Sequence, residues 1–397
     1  MTDERIRRLL DQRAPDERSA EERGWHVVRT GFAQRSTPPR RARARRTVIA
    51  LAAALALIAA AFTPPGQAVT DWVRDAVSPG RDDARPALAS LPGAGRLLVT
   101  SKQGPWIVQQ DGSRRLLGSF DDASWSPGGL FVAATRGREL VALEPGGRPR
   151  WSLARSGPVA NPRWSPDGFR IAYLAGRDLR VVAGDGTGDA LLARSVPLYA
   201  PAWRPRADHE LAFADSAGRI RVVQTDSRTA RWRSDAAIYP RQLEWSADGQ
   251  RLLALAPEAV YLFDAGGRLV ASEDMPPGTA ADAAAFARSG HSFALASHQP
   301  KLARTRLAVV VLGKGATWER LLLSGAGRFE ELAWSPNGRW LLASWPSANQ
   351  WVFIRAEARR RGGIERLRAV ANISEQFSPG VPGGAGFPHL GGWCCRR

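Results

Sequence analysis

The chain has 397 residues, 44% of them apolar, with 15 Trp and a formal net charge of +18 from 56 basic and 38 acidic side chains. So apolar and Trp-rich a composition excludes disorder throughout, and two cysteines exclude both a disulfide-stapled scaffold and a four-thiolate zinc site. The length admits one large domain or two to three small ones. A pI near 11.3 first suggests a nucleic-acid partner. The charge is not gathered into a basic stripe with interleaved aromatics, however. Residues 1–46 hold 13 Arg and 7 acids, a net +6, residues 47–70 hold no charge, and the remaining +12 is scattered in ones and twos. No nucleic-acid partner is expected.

Residues 1–46 form an Arg-rich segment with two short helical patterns. Ile6, Leu9 and Leu10 share one helical face, and Pro15 ends it. Ser19 and Glu22 have capping-box spacing, and Trp25, Val28 and Phe32 then line one side. So short a piece cannot bury a core of its own. It reads as a solvated or membrane-surface helix, or as a docking helix for a cytoplasmic partner.

Six arginines within residues 35–46 (Arg35, Arg40, Arg41, Arg43, Arg45 and Arg46) precede an uncharged apolar run, Thr47–Thr63, that Pro64 and Pro65 stop. Seventeen residues in a helix reach roughly 25 Å, near the lower limit for crossing a bilayer. The Arg block places the N-terminus in the cytoplasm by the positive-inside rule. Residues 47–70 are therefore expected to be a transmembrane signal anchor and its exit, with residues 71–90 as a linker to an extracytoplasmic part. A cleaved export signal and a buried core helix are the other readings of the run.

From residue 91 the chain repeats itself. Six segments align on a lead aromatic followed by a turn: Trp125-Ser-Pro-Gly-Gly129, Trp164-Ser-Pro-Asp167-Gly168, Trp203-Arg-Pro-Arg-Ala207, Trp245-Ser-Ala-Asp248-Gly249, Phe286-Ala-Arg-Ser-Gly290 and Trp334-Ser-Pro-Asn337-Gly338. The lead aromatics are 39, 39, 42, 41 and 48 residues apart. After each come short apolar strands bounded by Gly, Pro, Asp or Asn turns, such as Arg170–Leu174, Leu179–Ala183 and Gly184-Asp-Gly186. A unit of about 40 residues with three or four short strands is the size of one propeller blade. The Pro presets φ, the Gly takes a positive φ, and the lead aromatic fills the wedge between blades. A seventh unit, Leu91–Gly112, follows the same register without a lead Trp, and Ile364–Val370 suits the outer strand of the last unit. The expected fold is an all-β propeller over residues 91–375 with about seven four-stranded blades, six being the alternative. The C-terminal segment is a candidate to supply the inner strand that the first unit lacks.

Little in the sequence carries chemistry. None of His26, His209, His291, His298 and His389 has metal-ligand spacing, and no nucleophile elbow, Walker loop or dinucleotide fingerprint occurs. Asp185-Gly-Thr-Gly-Asp189 lacks the further oxygen ligands of a calcium loop and reads as a hairpin turn. No catalytic residue, metal or cofactor is expected. Residues 376–397 read as a Gly/Pro-rich tail ending near Cys394 and Cys395. These two are a possible disulfide, although adjacent cysteines seldom pair because the small ring strains the peptide. An exposed tail, an intermolecular disulfide, and packing onto the propeller through Phe387, Leu390 and Trp393 are its alternatives.

The Trp-Ser-Pro-Asp-Gly repeat resembles the TolB-like, WD-repeat-like β-propeller family over roughly residues 91–370, with Trp164–Gly168 the one letter-perfect copy. Arg204, Arg206, Ala207 and Phe286 depart most from the pattern. The resemblance implies an extracytoplasmic scaffold that binds a protein or an envelope component. The order of anchor, propeller and short tail is similar to that of membrane proteins of high-GC actinobacteria. The expected function is thus a membrane-anchored, ligand-binding propeller, with signalling through the Trp25 helix as an extension. A hydrolase or lyase of the envelope with its site at the channel mouth is the alternative.

Overall fold

The structure, a computed structural model, describes residues 88–313, 316–356, 364–378 and 386–395. The Arg-rich head 1–46, the apolar run 47–63 with its exit to residue 70, and all but the last residues of the linker 71–90 lie outside the described residues. Among those described, no helix is long and apolar enough to cross a membrane.

Among the described residues the strands form seven four-stranded antiparallel sheets, which decides between the two blade counts. Blade 1 contains β1 (Arg96–Ser101), β2 (Gly104–Val108) and β3 (Arg114–Leu116). Blade 2 contains β4 (Asp122–Trp125), β5 (Val132–Arg136), β6 (Glu139–Leu143) and β7 (Pro149–Ala154). Blade 3 contains β8 (Val159–Trp164), β9 (Arg170–Ala175), β10 (Asp178–Ala183) and β11 (Ala190–Ala193). Blade 4 contains β12 (Ala202–Trp203), β13 (Glu210–Ala214), β14 (Ile220–Gln224) and β15 (Thr229–Arg233). Blade 5 contains β16 (Gln242–Trp245), β17 (Arg251–Ala256), β18 (Ala259–Asp264) and β19 (Leu269–Asp274). Blade 6 contains β20 (Ala280–Phe286), β21 (Phe293–Gln299), β22 (Arg304–Gly313) and β23 (Ala316–Ala326). Blade 7 contains β24 (Glu331–Trp334), β25 (Leu341–Trp345), β26 (Gln350–Ala356) and β27 (Ile364–Ala371). The fourth strand of blade 1 is β28 (His389–Cys394), from the far end of the chain.

Sequence explains position within a blade. The second strands are short apolar runs, such as β17, whose last five residues are all buried, because a neighbouring blade covers each face. The outer strands β7 and β15 are polar and alternate in exposure, since at the rim one face meets water. Hydrophobic clusters join adjacent blades. Ala133 and Leu140 of blade 2 pack with Ile171, Tyr173 and Val182 of blade 3, and Leu211 and Phe213 of blade 4 pack with Ala172 and Leu174 of blade 3.

The repeated turn is a compact hydrogen-bonded unit. Gly168 N–H donates to the Ser165 carbonyl at 2.9 Å, and Arg170 N–H donates to Ser165 Oγ at 2.9 Å. Ser165 Oγ donates in turn to Asp167 Oδ1, which also accepts from Phe169 N–H at 2.9 Å. Gly168 sits at φ 83°, which an L side chain rarely adopts. The same set of bonds recurs at Ser246, Asp248 and Gly249, and at Ser335, Asn337 and Gly338. In the third copy Arg206 and His209 themselves take positive φ, and Arg204 reaches out to the Gly249 carbonyl and to Glu210.

The ring closes where β28 pairs with β1, setting Leu97 opposite Trp393 and Arg96 opposite Cys394. In blades 3, 4, 5 and 7 the lead aromatic likewise faces the first or second residue of the next strand, as Trp164 faces Ile171 and Trp334 faces Leu341. Trp393 therefore takes the lead-aromatic place that the first unit lacks. The stretch 376–397 is not a free tail, since part of it is the inner strand of blade 1. Trp393 is 3% exposed. It packs edge-on against Phe353 of blade 7, 5.8 Å between ring centroids. Around it lie Leu97, Leu342, Phe353 and Val370. A single helical turn, Ile373–Gln376, and the segment from Leu88 cap this seam: Leu88 N–H donates to Gln376 Oε1 at 2.9 Å, and Ile373 and Phe377 are fully buried.

Trp393→Ala is expected to lower stability by about 3–5 kcal/mol, the cost of emptying a large buried aromatic site. Leu130→Ala, at a position 70% exposed, is expected to stay within about 0.5 kcal/mol of the parent chain. Equilibrium unfolding in urea compares them.

Candidate functional site: the central channel

The first strand of each blade, β28, β4, β8, β12, β16, β20 and β24, has a partner on one side only. Its other edge faces the centre of the ring. These strands run in the same direction, so their beginnings form one mouth of a channel and the Ser-Pro-Asp-Gly turns form the other. The channel encloses about 980 Å³.

The unpaired inner edges are partly served by side chains of neighbouring blades. Gln242 Nε2 donates to the Ala284 carbonyl at 2.6 Å, and Ala284 N–H donates back to Gln242 Oε1 at 3.0 Å. Phe286 N–H donates to Glu244 Oε1 at 3.2 Å, and Asn161 N–H to Asp122 Oδ2 at 3.0 Å. Leu390 N–H donates to Glu331 Oε2 at 2.7 Å, which ties the closing strand to blade 7. Two lead aromatics add their indole N–H groups: Trp203 donates to the Arg163 carbonyl and Trp334 to the Ala285 carbonyl.

One residue before each lead aromatic lies a ring of Ser124, Arg163, Ala202, Glu244, Ala285, Ala333 and Gly392. All but Ala202 are in the channel lining. Five of the seven are small. Glu244 is the acid at this level, and burial pushes its carboxyl up to about 7, against the lowering effect of the Phe286 N–H and of Arg288. Nearer the entry mouth, burial likewise raises Asp282, whose side chain is fully enclosed and pairs with His298 and Arg328. His389 is raised by its hydrogen bond to Glu331.

At the turn mouth, His209 is held between Asp167 of blade 3 and Asp226 of its own blade, at 2.6 and 2.5 Å. His291 of blade 6 pairs with Asp248 of blade 5 at 2.9 Å. Burial acts to raise Asp248, but bonds from Ser246, Gln250 N–H and His291 outweigh it and hold the carboxyl at about 2.

The repeat residues named from sequence are placed at these turns and seams. Trp203, Trp245, Phe286 and Trp334 are buried wedges between blades, Trp125 and Trp164 are half-buried ones, and Gly129, Gly168, Gly249, Gly290 and Gly338 are at positive φ. Cys394 and Cys395 lie side by side at the turn mouth against blade 2, where a Cβ on Gly129 would meet both sulfurs. Asp185 accepts from Thr187 as part of a hairpin turn, and Asp189 pairs with Arg155, Arg180 and Tyr173. Among the described residues, no group of three or more His, Cys, Asp and Glu is placed to hold a metal. The channel residues Arg163, Gln242, Glu244 and Glu331 carry no motif. Their distance from the lead aromatic, one residue or three, is the signal that identifies them.

In a folded chain with Glu244 ionising near 7, stability falls as pH rises from the glutamate's ordinary 4.5 through that value. Glu244→Gln is expected to melt a few degrees higher than the parent above pH 7, with the difference gone below 4.5. Asp248, held low, stabilises the fold above the ordinary 3.8, and that contribution is lost as pH falls towards 2. Asp248→Asn is expected to cost about 1 kcal/mol at neutral pH, the exposed pair being screened by water, and nothing at the acid end. Melting curves across both windows check these signs.

No family model matches the chain, and no curated protein matches it in sequence. Solved structures do match its fold. The β-propeller domain of Cps50 (Swd1) from Myceliophteria thermophila is 16% identical, covering 62% of this chain and 84% of that one, at a TM-score of 0.48. A chain of a mitotic checkpoint complex is 14% identical, covering 68% of this chain and 93% of that one, at a TM-score of 0.51. The likeness is one of fold: a seven-bladed propeller of the WD-repeat-like kind.

Proposed function

We propose that the chain is a membrane-anchored scaffold of the TolB-like, WD-repeat-like kind whose propeller binds a protein partner outside the membrane. The observation that carries this reading is a patch at the entry mouth. Leu198, Tyr199 and Tyr239 are 59%, 44% and 65% exposed, and they sit on the two neighbouring loops that lead into β12 and β16. Exposed large apolar groups gathered on fixed loops suit protein recognition. The loops are held in place. Asn161 Nδ2 donates to the Leu198 carbonyl at 3.1 Å, and Tyr239 N–H donates to the Gly218 carbonyl at 2.8 Å. Gly218 has no side chain where the Tyr239 ring lies over it.

The Arg block before Thr47–Thr63 supports a cytoplasmic N-terminus and an extracytoplasmic propeller. The alternative of a hydrolase or lyase needs carboxylates free to act at the channel mouth. Asp282 is committed to His298 and Arg328, and Glu331 to Leu390 N–H and His389. Their engagement favours the binding reading.

Capture from envelope extract with the full chain is expected to retain a partner. Leu198→Ser and Tyr239→Ser are each expected to weaken that retention at least about tenfold without lowering the melting temperature. Retention that neither variant changes overturns the assignment to this patch. Protease added outside intact spheroplasts is expected to digest the propeller and spare an epitope placed in residues 1–46; the reverse pattern overturns the topology.

A further inference from the structure

Arg163 and Glu244 stand at the same level of the channel. Each is one residue before its blade's lead aromatic, in matching register: Arg163 faces Ala172 of the next strand and Glu244 faces Leu253. The blade between them offers Ala202 at that level. Among the described residues, neither charge forms an ion pair. Arg163 donates to the Pro162 carbonyl of its own strand, and Glu244 accepts from Phe286 N–H. The nearby Arg288 donates across the turn mouth to the Trp393 carbonyl. Two opposite charges therefore line one channel without a direct ion pair to each other or to another described residue, Arg288 acting on Glu244 only from nearby. Each bears part of the cost of leaving water. The remaining residues of the ring, Ser124, Ala285, Ala333 and Gly392, leave room between them, and a volume of about 980 Å³ is at the upper end for a small-ligand site.

We propose that the channel binds a short peptide with free ends, its ammonium on Glu244 and its carboxylate on Arg163. A ligand carrying both charges satisfies both side chains, and a carboxylate suits the planar guanidinium fork. In a single amino acid the two charges share one carbon. Two or three residues, at about 3.5 Å each when extended, set them farther apart, as suits side chains on blades 3 and 5 with blade 4 between them. Asp122, Glu330 and Glu331 at the entry mouth draw the ammonium end inwards. Leu198 and Tyr199 of the loop patch line the same channel at its entry mouth, but partner retention reads the patch and peptide charge reads the Arg163 and Glu244 level, so either can fail without the other.

The test is calorimetric titration of the full chain, in detergent, with trialanine, N-acetyl-trialanine and trialanine amide. Trialanine is expected to bind, and blocking either end is expected to weaken binding at least about tenfold, the worth of one charged hydrogen bond in a desolvated site. Glu244→Gln is expected to make the protein indifferent to acetylation while it still discriminates against the amide. Arg163→Gln is expected to do the converse. Absence of binding by trialanine at millimolar concentration, or equal binding of all three peptides, overturns the proposal. The three-peptide comparison on the unaltered chain needs no variant to fold.

Discussion

A blade is a twisted sheet with two apolar faces, and it is stable only with a neighbour on each. Seven blades meet that demand only if the first and last also meet, and here they do so through one antiparallel pairing, β28 with β1. The seam carries the most aromatic cluster among the described residues, with Trp340, Trp351, Phe353, Phe377 and Trp393 together. Every other feature depends on this closure. Without it blade 1 lacks its inner strand, blade 7 exposes an apolar face, and the channel has no wall on one side.

Closure creates a second constraint at the centre. Seven strand edges face one another across a space too wide for backbone pairing, yet their amides and carbonyls still need partners. Side chains supply several. Gln242 mimics a peptide group by bonding both the N–H and the carbonyl of Ala284, and Asp122, Glu244 and Glu331 each accept one inner-strand N–H from the next blade. These polar groups differentiate the channel wall chemically from blade to blade. Nearer the rim, polar links between blades also occur, as where Trp151 donates to the Gly184 carbonyl and Arg155 pairs with Asp189.

Much of the fold is legible in the sequence because its signature is local. The Ser165 turn is held by bonds that span no more than five residues, so the letters at those positions report the geometry directly. The role of Trp393 is not legible in the same way. Its pairing partner lies at Leu97, and the residues after it, Cys394 and Cys395, carry none of the turn chemistry that marks the other copies. Glu244 and Arg163 escape notice for another reason: what matters is their register against the lead aromatic, and no residue type is required there. The histidines fall between these cases. His209 and His291 lack metal spacing, but they stand 42 and 43 residues after Asp167 and Asp248. That interval is one repeat, so each links the turn of one blade to the next.

The pairing of Leu97 with Trp393 also bears on how the protein is made. Nearly the whole propeller lies between the two partners, which gives the ring a high contact order and a slow final step. A nascent chain can stack its middle blades as they emerge, since each contacts only its neighbours. Blade 1 must wait, with one strand edge bare, until residue 394 is available. During that interval β1 is an open sheet edge of the kind that recruits foreign strands. The time between the emergence of the first strand and the arrival of the last is therefore when this chain is most exposed to misassembly.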